Sequence, residues 1–339
     1  MKGIQIVEPN RLEIVDLEKP EMTEHDNVLI KMTASGICNS DVGIYHGTNA
    51  AATYPRIIGH EIVGVVEATL PGVTRVKPGD RVIIDQVISC GSCWPCLHHR
   101  ENVCDRLQVR GVHTDGGYRE FLTVPEGDCY LIPDGLSNVD AVMIEPTTIA
   151  IQCCSRAELR AEDTLLIYGC GALGSTILKV ARQTGAKIIV ADVIDGKLHE
   201  ALLNGASEAV NVLREDLKQK VFQLTNGHGA TVSVDAACLK DSLMKLLTVT
   251  GNAGRVITMG FNDAPVEASQ FKITSKELDV RGSRLQNRKF QAAIDMIKSG
   301  KLNLNGAVSH TFPFLEAQKA FDFIDSRDPS IRKVVLTFA

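Results

Sequence analysis

The rhythm of apolar and polar positions changes near the middle of the chain. Up to about residue 145, short apolar stretches (27–32, 61–66 and 80–84 among them) lie between Gly, Pro and Asp turns. The last of these follows Lys77-Pro78-Gly79. Runs of this length punctuated by turn residues predict strands, so this region is expected to be all-β. From about Thr164 the pattern becomes apolar runs alternating with helical-length segments. The runs are 164–168, 187–191, 208–212, 231–234, 255–259 and 278–280. Six strands separated by helices predict an α/β domain, a doubly wound parallel sheet with helices on both faces. An amphipathic helix follows at 290–298, then a helix near 315–324 and a closing strand at 333–338. Six parallel strands already complete a doubly wound domain. The last fifty residues are therefore expected to pack back on the β-rich part.

Length and charge narrow the function. A chain of 339 residues with 44% hydrophobic and 23% charged positions can build two cores. Its net charge of −5, with no basic block or aromatic-studded basic stripe, speaks against a nucleic-acid partner. No apolar run reaches the roughly 18 residues of a membrane span. The N-terminus turns acidic at Glu8, too soon for a signal peptide, which makes the cytoplasm the expected compartment.

The first chemical motif is Gly169-Cys170-Gly171-Ala172-Leu173-Gly174, directly after the strand at 164–168 and before a helical segment, 175–183. In that context the first glycine permits the tight turn and the second lets backbone approach a pyrophosphate. The third lets the helix pack against the strand with its N-terminus toward the phosphates. The next strand ends at Asp192, whose carboxylate can accept hydrogen bonds from both adenosine ribose hydroxyls and would repel a 2′-phosphate. Val193 brings no positive charge to reverse that, and the next basic residue is Lys197. The loop predicts NAD rather than NADP.

Ten cysteines in a chain without a secretory signal suggest metal or catalysis rather than disulfides. Cys90, Cys93, Cys96 and Cys104 offer four thiolates from one loop, enough to close a structural tetrahedral Zn²⁺ site; an iron–sulfur cluster is the alternative. Cys38, the Gly59-His60-Glu61 stretch and Glu145-Pro146 make a second, dispersed set. Its mixed sulfur, nitrogen and oxygen donors are of the kind that hold a catalytic zinc with one position open. On spacing alone, surface or packing roles are the stronger reading for these residues. Cys129, Cys153, Cys154, Cys170 and Cys238 stand in apolar or helix-forming surroundings and read as ordinary buried thiols.

These motifs together resemble the zinc-dependent medium-chain dehydrogenases, the superfamily of alcohol, sorbitol and threonine dehydrogenases. The resemblance covers the whole chain: Gly36-Ile37-Cys38-x-Ser40-Asp41, Gly59-His60-Glu61-x-x-Gly64, the four-cysteine lobe, Ile144-Glu145-Pro146 and the glycine loop with its acid. Within the superfamily the chain is most similar to the starvation-sensing, alcohol-dehydrogenase-like proteins and to the L-gulonate and L-galactonate 5-dehydrogenases. The stretches Pro55–Glu61, Val87–Gly91, Gly111–Gly117 and Asp235–Cys238 add to this likeness.

The resemblance implies a GroES-like catalytic domain (1–146, its zinc lobe at about 88–106), an NAD-binding Rossmann domain (147–285) and a C-terminal segment (286–339) returning to the catalytic domain. It implies two zincs per chain, NAD, a small-molecule substrate, and self-association as a dimer or tetramer. Cys38 and His60 are the implied ligands of the catalytic zinc, with Glu61 or Glu145 as the carboxylate ligand. Ser40 matches the hydroxyl that relays the substrate proton, while the chain departs from relatives in having Asn39 after the ligand cysteine and Gly43 where a histidine is common. His46 is the nearest imidazole that could extend the relay. Zinc acting as a Lewis acid would acidify a substrate hydroxyl, and the hydride would pass to the nicotinamide.

Arg284 falls where sorbitol-dehydrogenase-like relatives carry an arginine that reaches the zinc site. Its fork-shaped guanidinium suits a carboxylate, so a sugar acid of the L-gulonate or L-galactonate type, oxidised at C5, is the expected substrate. Pairing of Arg284 with an internal acid is the competing account. A polyol or L-threonine-type dehydrogenase, and an NAD-binding sensing protein without turnover, are the alternative functions.

Overall fold

The computed structural model describes residues 1–261 and 263–339. The chain forms two compact units, one of Met1–Pro146 with Phe290–Ala339 and the other of Thr147–Lys289.

The first unit is built around the strand Val28–Ile37, whose side chains are buried on both faces over most of its length. It can be so apolar because it lies inside a sheet. Glu61–Thr69 pairs along one side, while Phe121–Val124 and Val334–Thr337 share the other. The sheet continues outward through Arg81–Ile84 and Cys129–Leu131 on one flank and His310–Pro313 on the other. Val28, Ile30, Met32, Ile62, Val66, Val82, Ile84, Leu122, Val124 and Cys129 make its core. Burial pushes the Cys129 thiol up to about 12, as suits a cysteine used for packing.

Two registers of this sheet matter for chemistry. Gly36 lies opposite Glu61, and Val334 lies opposite Ile37. The end of the central strand therefore meets Glu61 on one side and the chain leading out of Lys333 on the other. Immediately beyond it the structure departs from the all-β expectation, because Asn39–Tyr45 is a helix. The Asp41 carboxylate at its third position reaches back to accept a hydrogen bond from the Cys38 amide (2.9 Å), satisfying a donor that the helix start would otherwise leave unpaired. Ile44 and Tyr45 are buried. A seven-residue helix with two apolar anchors is too short to show periodicity.

In the second unit all six strands are parallel. Their order across the sheet is Glu208–Asn211, Lys187–Asp192, Thr164–Tyr168, Ala230–Asp235, Thr250–Thr258, Asp279–Gly282. The order reverses beside Thr164–Tyr168, and in such sheets ligands bind beyond the strands' carboxyl ends at that point. Leu166, Ile189, Val210 and Val256 of its strands pack with Val221, Leu246 and Leu278 in one core. No helix among the described residues is long and apolar enough to cross a membrane.

Candidate metal centres and dinucleotide loop

Cys38, His60 and Glu61 converge, with one donor atom from each lying within 4.8 Å of the others. Cys38 follows the central strand and caps the Asn39–Tyr45 helix, while Glu61 opens the neighbouring strand. The antiparallel register thus joins residues twenty-odd positions apart. His60 and Glu61 are buried, whereas Cys38 and Ser40 are half-exposed, so the cluster is open on the Cys38–Ser40 side. The Ser40 hydroxyl lies 3.3 Å from His60 Nε2.

The electrostatics of the cluster fit a divalent cation. Cys38, Asp41, Glu61 and Glu145 bring four acidic groups together, and Lys333 is the cation paired with Glu61 there. Glu61 Oε1 meets the buried Lys333 ammonium, while its Oε2 is buried with no hydrogen-bond partner. A buried carboxylate oxygen without a donor is costly unless something positive meets it. Burial opposes charge on both Cys38 and His60. His60 nonetheless draws the Cys38 thiol below its ordinary range, and Asp41 holds His60 protonation well above its own. Burial and the negative groups around it push the Glu145 carboxyl well up. Acidic groups and an imidazole are thus packed together in a buried space, and a Zn²⁺ ion held by sulfur, nitrogen and oxygen suits that donor set.

Glu145 is placed differently from Glu61. It starts the helix Ile144–Arg156, and its Oε1 accepts a hydrogen bond from Gln86 Nε2 at 2.5 Å. It is not one of the three residues whose donor atoms lie within 4.8 Å of one another.

Of the supporting residues, Asp41 stood in the Cys38-x-Ser40-Asp41 motif without a role, and Gln86 and Lys333 carried no sequence signal. Asp41, fully buried, binds the Gly59 amide at 3.3 Å and lies 3.3 Å from His60 Nδ1. Gln86 and Lys333 come from a loop and from the far end of the chain. His46 lies at the end of the short helix, its two ring nitrogens taken by Asn10 Oδ1 (2.7 Å) and Asp325 Oδ1 (2.9 Å). Nothing in the spacing of Ser40 and His46 announced those partners.

Cys90, Cys93, Cys96 and Cys104 form the second cluster, again with all sulfurs within 4.8 Å. Cys93 Sγ is 3.4 Å from Cys96 Sγ and 3.6 Å from Cys104 Sγ, and all four are free thiols. A tetrahedron of Zn–S bonds near 2.3 Å has an edge of roughly 3.8 Å, close to these separations. Hydrogen bonds from Ser92 pull the Cys90 thiol down to about 5, whereas burial pushes Cys96 up to about 12. The amides of Cys90 and Arg106 both donate to Cys104 Sγ at 3.3 Å, which suits a thiolate.

The glycine loop has the geometry that a dinucleotide needs. Gly169 adopts φ +103° as the chain leaves the Thr164–Tyr168 strand, and the helix starts at Ala172 with Gly171 as its cap. A Cβ on Gly174 would meet the Gly169 carbonyl oxygen at 1.8 Å, whereas a Cβ on Gly171 would project into open space. Ala172 and Leu173 form the first turn of that helix. Asp192 Oδ2 accepts from the Cys170 amide (2.6 Å), and Oδ1 accepts from Val193 (2.7 Å) and Ile194 (3.0 Å), tying the second strand's acid to the loop. Lys197 lies in the following helix, half-buried. Arg284, just past the last parallel strand, is half-buried with its guanidinium 4.7 Å from the Phe261 ring centre.

A β-rich unit with two clusters of candidate metal ligands and a doubly wound unit with a glycine loop after its first strand are together the make-up of a zinc-type dehydrogenase. Residues 24–134 match the alcohol dehydrogenase GroES-like domain and residues 172–299 the zinc-binding dehydrogenase family. The starvation-sensing protein RspB of Escherichia coli is 39% identical over the full length of both chains. D-arabitol-phosphate dehydrogenase of Enterococcus avium is 30% identical, covering 95% of this chain and 94% of its own. A crystal structure of an E. coli rspB alcohol dehydrogenase complexed with NADH superposes with a TM-score of 0.93 at 38% identity, covering 100% of this chain and 99% of the other. The chain belongs to the medium-chain, zinc-dependent alcohol and polyol dehydrogenases, and zinc and NAD both fit its sites.

Proposed function

We propose that this protein uses zinc and NAD to oxidise a secondary hydroxyl of a sugar acid, at C5 of an L-gulonate- or L-galactonate-type substrate. The observation that carries the catalytic part is the Cys38–His60–Glu61 cluster, with His60 and Glu61 buried and Cys38 half-exposed beside the Ser40 hydroxyl. Zinc at that cluster supplies Lewis acidity, lowering the pKa of a substrate hydroxyl toward neutrality. NAD on the Gly169–Gly174 loop supplies the hydride acceptor.

The chain's own residues do the rest. Cys38 and His60, with Glu61 or Glu145, hold the metal. Asp41 faces His60 Nδ1, which favours the tautomer that leaves Nε2 for the metal. Ser40 Oγ accepts the proton from the substrate hydroxyl and releases it on the half-exposed side of the cluster. With both His46 nitrogens engaged by Asn10 and Asp325, the relay proposed here ends at Ser40. Asp192 accepts the adenosine ribose hydroxyls in exchange for part of its backbone bonding. Lys197 lies near enough in sequence to Asp192 to reach the same end of the cofactor.

For the substrate, the support is Arg284: a half-buried guanidinium against the Phe261 ring has the charge and fork geometry that suit a carboxylate. The D-arabitol-phosphate dehydrogenase among the relatives takes, by its name, an anionic polyol derivative, which is the same chemistry with a different acid. Following the family, we extend the reading to a dimer or tetramer.

The test is a screen of aldonates, polyols and amino acids for NADH formation at 340 nm. Aldonates are expected to turn over, Cys38→Ser and His60→Ala to abolish turnover with NAD binding intact, and Arg284→Leu to raise KM for aldonates more than for neutral polyols. Undiminished activity without metal would overturn the mechanism. An unchanged aldonate KM in Arg284→Leu would overturn the substrate class.

A further inference from the structure

We propose that Gln86 is the positioning residue for the Glu145 carboxylate, and through it sets how tightly the mixed-ligand zinc site binds its metal. The inference rests on the zinc assignment above, with Glu145 taken as the carboxylate ligand, and concerns a residue outside the ligand set.

Gln86 is fully buried in the two-residue connection between Arg81–Ile84 and Val87–Ile88. Its Nε2 donates to Glu145 Oε1 at 2.5 Å. The orientation of the amide follows from chemistry: a carboxylate that ligates a metal is ionised and its oxygens only accept, so the NH₂ faces it. That choice leaves Gln86 Oε1 buried with no hydrogen-bond partner. An orphaned buried acceptor lowers stability by about 1–3 kcal/mol. A leucine or methionine of similar volume would avoid that penalty, so packing alone does not account for an amide here. The bond to Glu145 does.

The connection carrying Gln86 is itself held in place. Arg110, buried, donates from its amide to the Gln86 carbonyl (3.0 Å) and from Nη1 to the Asp85 carbonyl (2.7 Å). Its Nη2 binds Asp128 Oδ2 at 2.6 Å. The amide donor is thus fixed before any metal arrives. Lys333, the nearby lysine, is already paired with Glu61, and the Gln86 amide is the donor that meets Glu145 Oε1. Hydrogen-bond partners of metal-ligating carboxylates change metal affinity about 10–100-fold when removed.

The experiment compares the full-length zinc-loaded wild type with Gln86→Leu and, as a second near-isosteric variant, Gln86→Met. Zinc release is titrated with a chelator series, and cobalt(II) is substituted at the mixed site for its visible absorption. The four-cysteine site serves as an internal control for folding. Affinity of the mixed site is expected to fall about 10–100-fold, with a shifted cobalt spectrum and an unchanged four-cysteine site. In a Glu145→Gln background, Gln86→Leu is expected to add less than twofold, because its effect runs through Glu145. Folded variants with wild-type affinity and an unshifted spectrum would overturn the inference alone. So would a full additional loss in the Glu145→Gln background. A wild type that holds only the four-cysteine zinc would overturn the zinc assignment along with it.

Discussion

Two alanine substitutions in the glycine loop, three residues apart, should fail in different ways. A Cβ on Gly174 would sit 1.8 Å from the Gly169 carbonyl oxygen, against a practical minimum near 3.0 Å, so the helix must retreat by at least 3.0 − 1.8 = 1.2 Å. The carbonyl cannot yield instead. The Gly169 amide is bonded to Ala191 at 2.8 Å and its φ of +103° is already special. Overpacking of this kind destabilises by about 1–3 kcal/mol, or roughly 3–10 °C in Tm. A Cβ on Gly171 meets nothing within 4 Å, and its φ of −67° suits alanine. Gly171→Ala should therefore leave Tm unchanged or raise it slightly through the unfolded chain's lost freedom. Yet the methyl would occupy the space where backbone meets the pyrophosphate, so NAD affinity should fall at least about tenfold, ~1.4 kcal/mol. Calorimetric titration with NAD and thermal melts of both variants check this. Wild-type NAD binding by Gly171→Ala, or a wild-type melt for Gly174→Ala, would refute the reasoning.

Lys333→Met strands the Glu61 carboxylate and should destabilise the metal-depleted protein by about 3–5 kcal/mol in denaturant titration. Adding Glu61→Gln should recover much of that loss, and an unaffected single variant would show the pair to be dispensable. Cys93→Ala should drop metal content from two zincs per chain to one and open the lobe to limited proteolysis; retention of two would contradict the four-thiolate site. Asp41→Asn keeps an acceptor for the Cys38 amide but removes the charge facing His60, so kcat/KM should fall about 10–100-fold with only a small change in Tm. Equal activity would rule out a role for that charge in holding His60.

What could be read along the chain was what repeats or clusters locally. The six apolar runs after Thr164 gave the parallel sheet because strands buried on both faces need continuous apolar side chains, whatever lies elsewhere. The four-cysteine lobe and the glycine loop were legible for the same reason, since each assembles its chemistry within about fifteen residues. The boundaries moved by a few positions, and the helix starts at Ala172 rather than Ser175, because the cap sits at Gly171 itself. The mixed zinc site was different. On spacing its members were no better than packing residues, and only likeness to a family brought them together.

Tertiary structure decided the rest of that site through the sheet register. Pairing Gly36 with Glu61 and Val334 with Ile37 carries Lys333 across nearly the whole chain to a carboxylate it does not resemble in any motif. The Asn39–Tyr45 helix, invisible in a seven-residue window, turns Asp41 back on Cys38, Gly59 and His60. His46, the imidazole nearest Ser40 in sequence, is bonded at both nitrogens to Asn10 and Asp325. Gln86 reaches Glu145 from a two-residue loop. Ligand types and loop motifs are local properties of a sequence. The charges that surround a ligand and hold it in place depend on which distant segments pair, and hydrogen bonding between strands, not spacing along the chain, sets that.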